Sequence, residues 1–169
     1  MSAQSLTKRI RLFLILFVTG LLISGVTAFP LQWEIDLLKR FVDNNPGLIS
    51  LVPGLSDWIT IVHAGLTTTL QHYPFMAYGT DWLAFAHIVI ALAFWGPLRD
   101  PIKNVWVIEF GMIACMLVIP LALIFGPLRG IPFGWQLVDC SFGLIGIIPL
   151  YLAWRDVRSI QRMQNFQAA

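Results

Sequence analysis

Four long apolar stretches constrain the structure of this chain more than any other feature of its sequence. They cover residues 12–29, 80–98, 105–127 and 133–154. A helix needs about 20 apolar residues to cross the hydrocarbon core of a bilayer, where no unpaired backbone group is tolerated. The sequence therefore predicts an all-α integral membrane protein with four transmembrane helices, organised as a single membrane domain over residues 1–169.

The overall composition supports the membrane class. Hydrophobic residues make up 57% of the chain and charged residues only 12%, which lies outside the range of soluble globular proteins. The formal net charge of +2 is too small to indicate a nucleic-acid partner. We therefore expect the lipid bilayer to surround this chain and expect no nucleic acid among its partners.

The basic residues predict the orientation of the spans, because lysine and arginine are retained on the cytoplasmic side. One side of the predicted topology holds Lys8, Arg9, Arg11, Arg99, Lys103, Arg155, Arg158 and Arg162, and the other holds Lys39, Arg40 and Arg129. Both termini are therefore predicted to be cytoplasmic. A bacterial cytoplasmic (inner) membrane is the expected location.

The first apolar stretch also has the pattern of a secretory signal peptide. Basic residues precede it, and the small residues Val26, Thr27 and Ala28 follow it as a candidate cleavage site. The stretch is nevertheless long enough to span a bilayer, and its retention gives an even number of spans. We expect a retained helix, whereas cleavage would leave three spans.

The extracytoplasmic loop over residues 30–79 is too long to be a structureless connection, so it is predicted to contain helices. In its first part, Pro30 suits the first turn of a helix that ends at Asn44-Asn45-Pro46-Gly47. At helical spacing, one face of this segment carries Leu31, Ile35, Leu38 and Val42, and another carries Gln32, Asp36, Lys39 and Asp43. This pattern predicts an amphipathic helix at the membrane surface.

A second amphipathic helix is predicted over residues 54–71, with Ser56 or Asp57 as its N-cap. Its apolar face carries Trp58, Val62, Leu66 and Leu70, and its polar face carries Ser56, Thr60, His63 and Thr67. The two interfacial helices are interpreted either as a lid over the outer mouth of the bundle or as a flat belt on the membrane surface.

Three ionisable residues inside the predicted spans, His87, Glu109 and Asp139, are the main functional clue. Each costs about 2.5–3.5 kcal/mol in hydrocarbon even on lenient insertion scales. His87 and Asp139 both lie about 10 Å from the outer ends of their helices. They are predicted to pair within a buried polar cluster that also includes Cys140, Asp81 and Arg129 and draws in Ser141. This pair is interpreted either as a structural contact between the second and fourth spans or as a functional group.

Glu109 lies near the cytoplasmic start of the third span. It is predicted to form an ion pair with Arg99, or with Lys103, from the preceding short turn. Small residues mark the expected contact between the third and fourth spans: Gly111 and Cys115 on one, Gly143 and Gly146 on the other. Cys115 and Cys140 are interpreted as buried apolar side chains.

The function favoured by these features is that of a non-enzymatic accessory or assembly subunit that binds another membrane protein or a second copy of itself. The expected cofactor is none, no metal site is expected, and catalytic residues are unknown. One alternative is a redox protein that binds haem b or a quinone, with His87 and either His63 or His72 as ligands. Another is an intramembrane hydrolase or lipid-modifying enzyme that uses His87 with Asp81 or Asp139, with or without a metal held by His63 and His72.

Overall fold

The computed structural model describes residues 3–50 and 52–168, and over these ranges it contains helices and no strand. The α-helices are α1 (Ala3–Thr27), α2 (Leu31–Asn44), α3 (Pro46–Ile49), α4 (Leu55–His72), α5 (Tyr78–Ala93), α6 (Trp95–Arg99), α7 (Val105–Leu128) and α8 (Phe133–Ala168). A 3-10 turn, Pro74–Ala77, connects α4 to α5.

Among the residues that the structure describes, four helical segments are long and apolar enough to cross a membrane: Ala3–Thr27, Pro74–Arg99, Val105–Leu128 and Phe133–Phe166. They cover the four predicted spans except residues 28 and 29, which follow the end of α1, so the four-span prediction is confirmed. The helices α2 and α4 lie between the first and second spans, as the amphipathic patterns predicted.

The second span is interrupted near its C-terminal end, whereas the sequence predicted one continuous helix. The break lies at Phe94, between α5 and α6. Pro97 has no backbone N–H and cannot bond the carbonyl of Ala93, so one helical hydrogen bond is lost at this point. Phe94 is fully buried, and the centroid of its ring lies 4.9 Å from that of Phe17.

The chain divides into two compact units, one formed by Met1–Leu21 with Val89–Ala169 and the other by Leu22–Ile88. The core of the first unit is built from buried side chains of α1, α7 and α8 together with Phe94: Leu6, Ile10, Leu14, Val107, Ile108, Cys115, Leu150, Ala153, Val157 and Ile160. The first turns of α1 therefore belong to a packed core.

The helices α7 and α8 approach each other through small residues, which confirms the expected contact. A Cβ atom built on Gly143 would overlap the backbone carbonyl oxygen of Cys115. A Cβ atom on Gly146 would lie 3.1 Å from the Sγ of Cys115, and one on Gly111 would lie 2.9 Å from Leu150. Glycine permits this separation because it lacks the side chain that would hold the two backbones apart.

A Schellman turn ends α7 and directs the chain into α8. Gly130 adopts a left-handed conformation with φ of +69°. The N–H of Ile131 bonds the carbonyl of Gly126 at 2.9 Å, and the N–H of Gly130 bonds that of Pro127 at 3.1 Å. The buried side chain of Gln136 then donates to the carbonyl of Ile131 at 2.7 Å. These bonds satisfy backbone groups that a helix end leaves free.

In the second unit, α2 packs against α4. The buried residues of these two helices are Ile35, Val42 and Ile59.

The N-caps of α2 and α4 differ from the residues that the sequence predicted. Pro30 is the N-cap of α2, one residue before its first turn. Gly54, with φ of +78°, is the N-cap of α4, so Ser56 and Asp57 lie inside the first turn, where neither acts as the cap. Glycine adopts this left-handed conformation without steric cost.

Candidate functional site

His87 lies on α5, in the second unit. Its Nδ1 lies 2.8 Å from the carbonyl oxygen of Leu83, one turn earlier on α5. A carbonyl oxygen only accepts hydrogen bonds, so Nδ1 carries the hydrogen and Nε2 of the neutral ring is left as an acceptor. A Cβ atom on Gly25 would lie 2.9 Å from the Cβ of His87, so α1 passes close to this histidine. Asp81 lies in the first turn of the same helix.

The other members of the predicted outer cluster lie in the first unit. Asp139 is half-buried and Cys140 is buried on α8, and Arg129 is the C-cap of α7. The hydroxyl of Ser141 donates to the carbonyl of Val138 at 2.6 Å, so it serves its own helix. His87 and Asp139 belong to different units. Their pairing stays a prediction.

Glu109 forms the expected kind of ion pair but with a different partner. Its Oε1 accepts hydrogen bonds from Arg158 Nη2 at 2.8 Å and from Trp154 Nε1 at 2.9 Å. The predicted partner, Arg99, instead lies over the ring of Trp95, 6.0 Å from its centroid. The reason is that α8 continues well beyond residue 154, so its next turn brings an arginine alongside α7.

Asp156 is a buried carboxylate that the sequence analysis missed. Its Oδ2 lies 3.2 Å from Arg9 Nε, and its Oδ1 lies 3.6 Å from Arg155 Nη2. The sequence analysis ended the fourth span at Trp154 and left the following turn to solvent. The sequence contains a pattern that could have predicted this burial. Ala153, Val157 and Ile160 continue an apolar face of the helix around Asp156, and all three are buried.

A polar joint between α2 and α4 was also missed. Asp36 Oδ1 lies 2.9 Å from His63 Nε2 and accepts a hydrogen bond from Gln32 Nε2 at 2.8 Å. The same amide nitrogen lies 3.0 Å from Thr67 Oγ1. Sequence periodicity placed these residues on polar faces. In the structure the two polar faces meet beside the buried Ile35 and Val42. A second apolar stripe of α2, formed by Trp33, Leu37 and Phe41, is exposed.

His63 and His72, which lie outside the spans, each have a hydrogen-bond partner. His63 Nε2 faces Asp36, and His72 Nδ1 lies 2.9 Å from the carbonyl oxygen of Thr68. Over residues 3–50 and 52–168, no group of three or more histidine, cysteine, aspartate or glutamate side chains is arranged to hold a metal ion. For haem ligation, the described bond of His87 involves Nδ1 and not Nε2, whereas His63 Nε2 faces a carboxylate.

An exposed strip of aromatic rings lines the first half of α5. The ring centroids of Tyr78 and Trp82 lie 6.0 Å apart, and those of Trp82 and Phe85 lie 5.8 Å apart. Both pairs meet edge to face, at interplanar angles of 79° and 89°. All three side chains are more than half exposed. We call these three residues the aromatic strip.

Comparison with protein-family models, with curated proteins and with solved structures finds no match to this chain. The function is therefore inferred from the geometry of these clusters.

Proposed function

We propose that this multi-pass membrane protein is a non-enzymatic accessory or assembly subunit that binds another membrane protein. The observation that carries the proposal is the aromatic strip on α5. Its rings follow one face of the helix, and each ring touches the next edge to face. Aromatic side chains dominate binding hot spots because they bury a large area with few rotatable bonds.

The mutual contacts within the aromatic strip favour a protein partner over lipid alone. Edge-to-face pairs already restrict the rotamers of Tyr78 and Trp82, so less side-chain entropy is lost when a partner docks. Lipid chains have no fixed shape against which ordered rings could pack. A helix of another membrane protein presents such a fixed surface.

The ionisable groups with described partners support a structural role for the rest of the chain. Asp156 pairs with Arg9, Glu109 with Arg158, and Asp36 with His63. Each pair joins two different helices, which is what a scaffold requires of its charged residues. We also infer that the protein lies in a bacterial cytoplasmic membrane with both termini in the cytoplasm, from the distribution of its basic residues.

The test is photo-crosslinking in intact membranes of the host. A photo-reactive phenylalanine analogue replaces Trp82 in one variant and Phe142, an exposed aromatic residue of α8, in the matched control. We expect position 82 to give one protein adduct of defined mass that mass spectrometry identifies as another membrane protein. Position 142 should give lipid adducts only.

Lipid adducts alone at both positions would contradict the proposal. An adduct with twice the mass of the chain would show that the partner is a second copy of this protein and not a different membrane protein. As a further check, Trp82→Ala should reduce co-purification of the identified partner, while Phe142→Ala should leave it unchanged.

A second candidate function, binding of haem b or a quinone, is favoured by one observation. The bond from His87 to Leu83 leaves Nε2 of a membrane-embedded imidazole as an acceptor, as haem ligation requires. An absorption spectrum of the purified protein, oxidised and then reduced, separates the two candidates. The accessory role predicts no Soret band. A Soret band that shifts on reduction and disappears in His87→Ala would favour the cytochrome.

The hydrolase alternative requires His87 to act together with Asp81 or Asp139. The described bonds of His87 involve the backbone of its own helix, so this alternative has no contact that favours it among the described residues. It stays a prediction from the sequence.

A further inference from the structure

The side of α2 that points away from α4 carries exposed apolar side chains. Trp33, Leu37 and Phe41 follow one another at intervals of four residues, so they line one side of the helix. These side chains are 63%, 52% and 49% exposed. Ile35 and Val42 lie on the opposite side of the same helix and are buried. We call the three exposed residues the surface stripe.

Charged residues border the surface stripe on both sides. Arg40 follows Leu37 by three residues and Trp33 by seven, which places it along one edge of the stripe. Glu34 precedes Leu37 by three residues and Phe41 by seven, which places it along the other edge. Both charged residues are exposed. An apolar stripe between charged edges is typical of a helix that lies in the plane of a membrane surface.

The connection to α1 determines the depth at which α2 begins. The helix α1 ends at Thr27 and α2 begins at Leu31, after a turn in which the N–H of Phe29 bonds the carbonyl of Val26 at 3.4 Å. From Arg11 to Thr27, α1 rises about 24 Å. The hydrocarbon core is about 30 Å thick, so with Arg11 at one headgroup layer Thr27 reaches no further than the opposite one. The helix α2 therefore begins at the membrane boundary.

The outer side of α4 differs from the surface stripe in polarity. The polar joint holds α4 against α2, with His63 Nε2 2.9 Å from Asp36 Oδ1. On the side of α4 opposite the buried Ile59, the exposed residues include Asp57 and Thr68, with Ile61 as a large apolar side chain. This side alternates polar and apolar residues and has no continuous apolar stripe. Of the two outer sides of the helix pair, that of α2 is therefore the one that matches lipid.

We propose that the surface of the lipid bilayer covers the surface stripe. The helix α2 lies flat in the boundary between headgroups and acyl chains, and α4 lies above it on the water side. Trp33 places its ring at headgroup depth, where tryptophan is enriched, and Leu37 and Phe41 contact acyl chains. Arg40 and Glu34 remain at headgroup level. Since these edges carry one charge of each sign, binding does not require anionic lipid.

This inference concerns a lipid surface and is independent of the aromatic strip, whose proposed partner is a protein. It also changes which residues of α2 contact the membrane. The amphipathic pattern in the sequence pointed to the face with Ile35 and Val42, and in the structure those two residues are buried. The surface stripe is the apolar side of α2 that is left for lipid.

The experiment measures the depth of single positions in a bilayer. The full chain, with Cys115→Ala and Cys140→Ala, is reconstituted into phosphatidylcholine vesicles at a low protein-to-lipid ratio. A nitroxide is attached to a cysteine placed at each position of the surface stripe in turn, and at Thr68→Cys as the matched control on the outer side of α4. Electron paramagnetic resonance then compares collisions of the nitroxide with oxygen, which concentrates in lipid, and with a water-soluble nickel chelate.

We expect all three stripe positions to show a ratio of oxygen to nickel collisions severalfold higher than the control. Their depths should agree with one another, at about 5–10 Å into the boundary between headgroups and acyl chains. The nitroxide at Thr68→Cys should be as accessible to the nickel chelate as a group in water. Circular dichroism verifies that each labelled protein is folded, and the three stripe positions test the proposal separately.

Three results would overturn the proposal. Collision ratios equal to that of the control would place the surface stripe in water. A depth that decreases steadily from Trp33→Cys to Phe41→Cys, which lie about 12 Å apart along the helix, would show that α2 stands up from the bilayer. Shielding from both reagents, with spectral broadening that grows with the protein-to-lipid ratio, would show that a second copy of the chain covers the stripe.

Discussion

At the scale of single residues, ion pairs between helices are the most informative feature of the structure. Glu109 and Asp156 each pair with an arginine from a distant part of the sequence. A buried carboxylate is tolerated only when it is paired, and removal of one partner is costlier than replacement of both. These pairs therefore fix which helix faces meet.

We predict that Asp156→Asn destabilises the protein by about 3 kcal/mol, at the lower end of the range for a broken buried pair because Arg9 is partly exposed. The amide removes the negative charge that lies beside Arg9 and Arg155. Thermal unfolding in detergent, followed by circular dichroism, should show a clear decrease in Tm. Arg162→Gln, at an exposed site on the same helix, should leave Tm unchanged, and an equal decrease there would contradict the prediction.

A second prediction concerns Gly143, where α8 touches the backbone of α7. Gly143→Ala places a methyl group against the carbonyl oxygen of Cys115, which cannot move away without separating the helices. We expect a loss of about 1–3 kcal/mol, as for other overpacked interiors. Gly134→Ala is the control, because nothing lies within 4 Å of a Cβ atom there. Similar unfolding temperatures for the two variants would rule out the close contact.

At the scale of elements, α2 and α4 show what a residue pattern determines about a helix and what it leaves open. Periodicity separated the apolar and polar faces of both helices, and both helices exist. It did not indicate that His63 and Gln32 both contact Asp36, so that the polar faces meet across the helix pair. A local pattern describes the faces of one helix but not the rotation of that helix about its axis.

We predict that His63→Ala loosens α2 from α4 by removing the ring that contacts Asp36. Hydrogen exchange measured by mass spectrometry should show faster amide exchange in α2 and unchanged exchange in α7, which belongs to the first unit. His72→Ala is the matched control, since the described contacts of His72 are with the carbonyl oxygen of Thr68 on its own helix and with the ring of the adjacent Tyr73. Equal exchange rates in α2 for the two variants would show that the contact of His63 with Asp36 does not hold α2 against α4.

At the scale of the whole molecule, the orientation in the membrane follows from the basic residues and is directly testable. We predict that a membrane-impermeant maleimide labels Asp57→Cys in intact spheroplasts and labels Asn165→Cys only after lysis. Both positions are exposed in the structure, and the native Cys115 and Cys140 are buried. The reverse labelling pattern would invert the topology, and labelling of both positions in intact cells would place the termini on opposite sides.

The sequence by itself determined the number, approximate positions and helical character of the spans. These follow from local requirements, because a bilayer demands about 20 apolar residues with all backbone groups bonded within one helix. The contact of Gly143 with α7 was also predictable, since glycine at the interface of two spans permits close approach.

Only the tertiary structure decided the partners of the charged residues. Arg158 reaches Glu109 because α8 extends beyond the apolar stretch, and Arg9 reaches Asp156 because the first turns of α1 pack into the same core. These pairs join residues 49 and more than 100 positions apart in the chain. Their choice depends on the length and rotation of complete helices, which no local pattern of residues specifies.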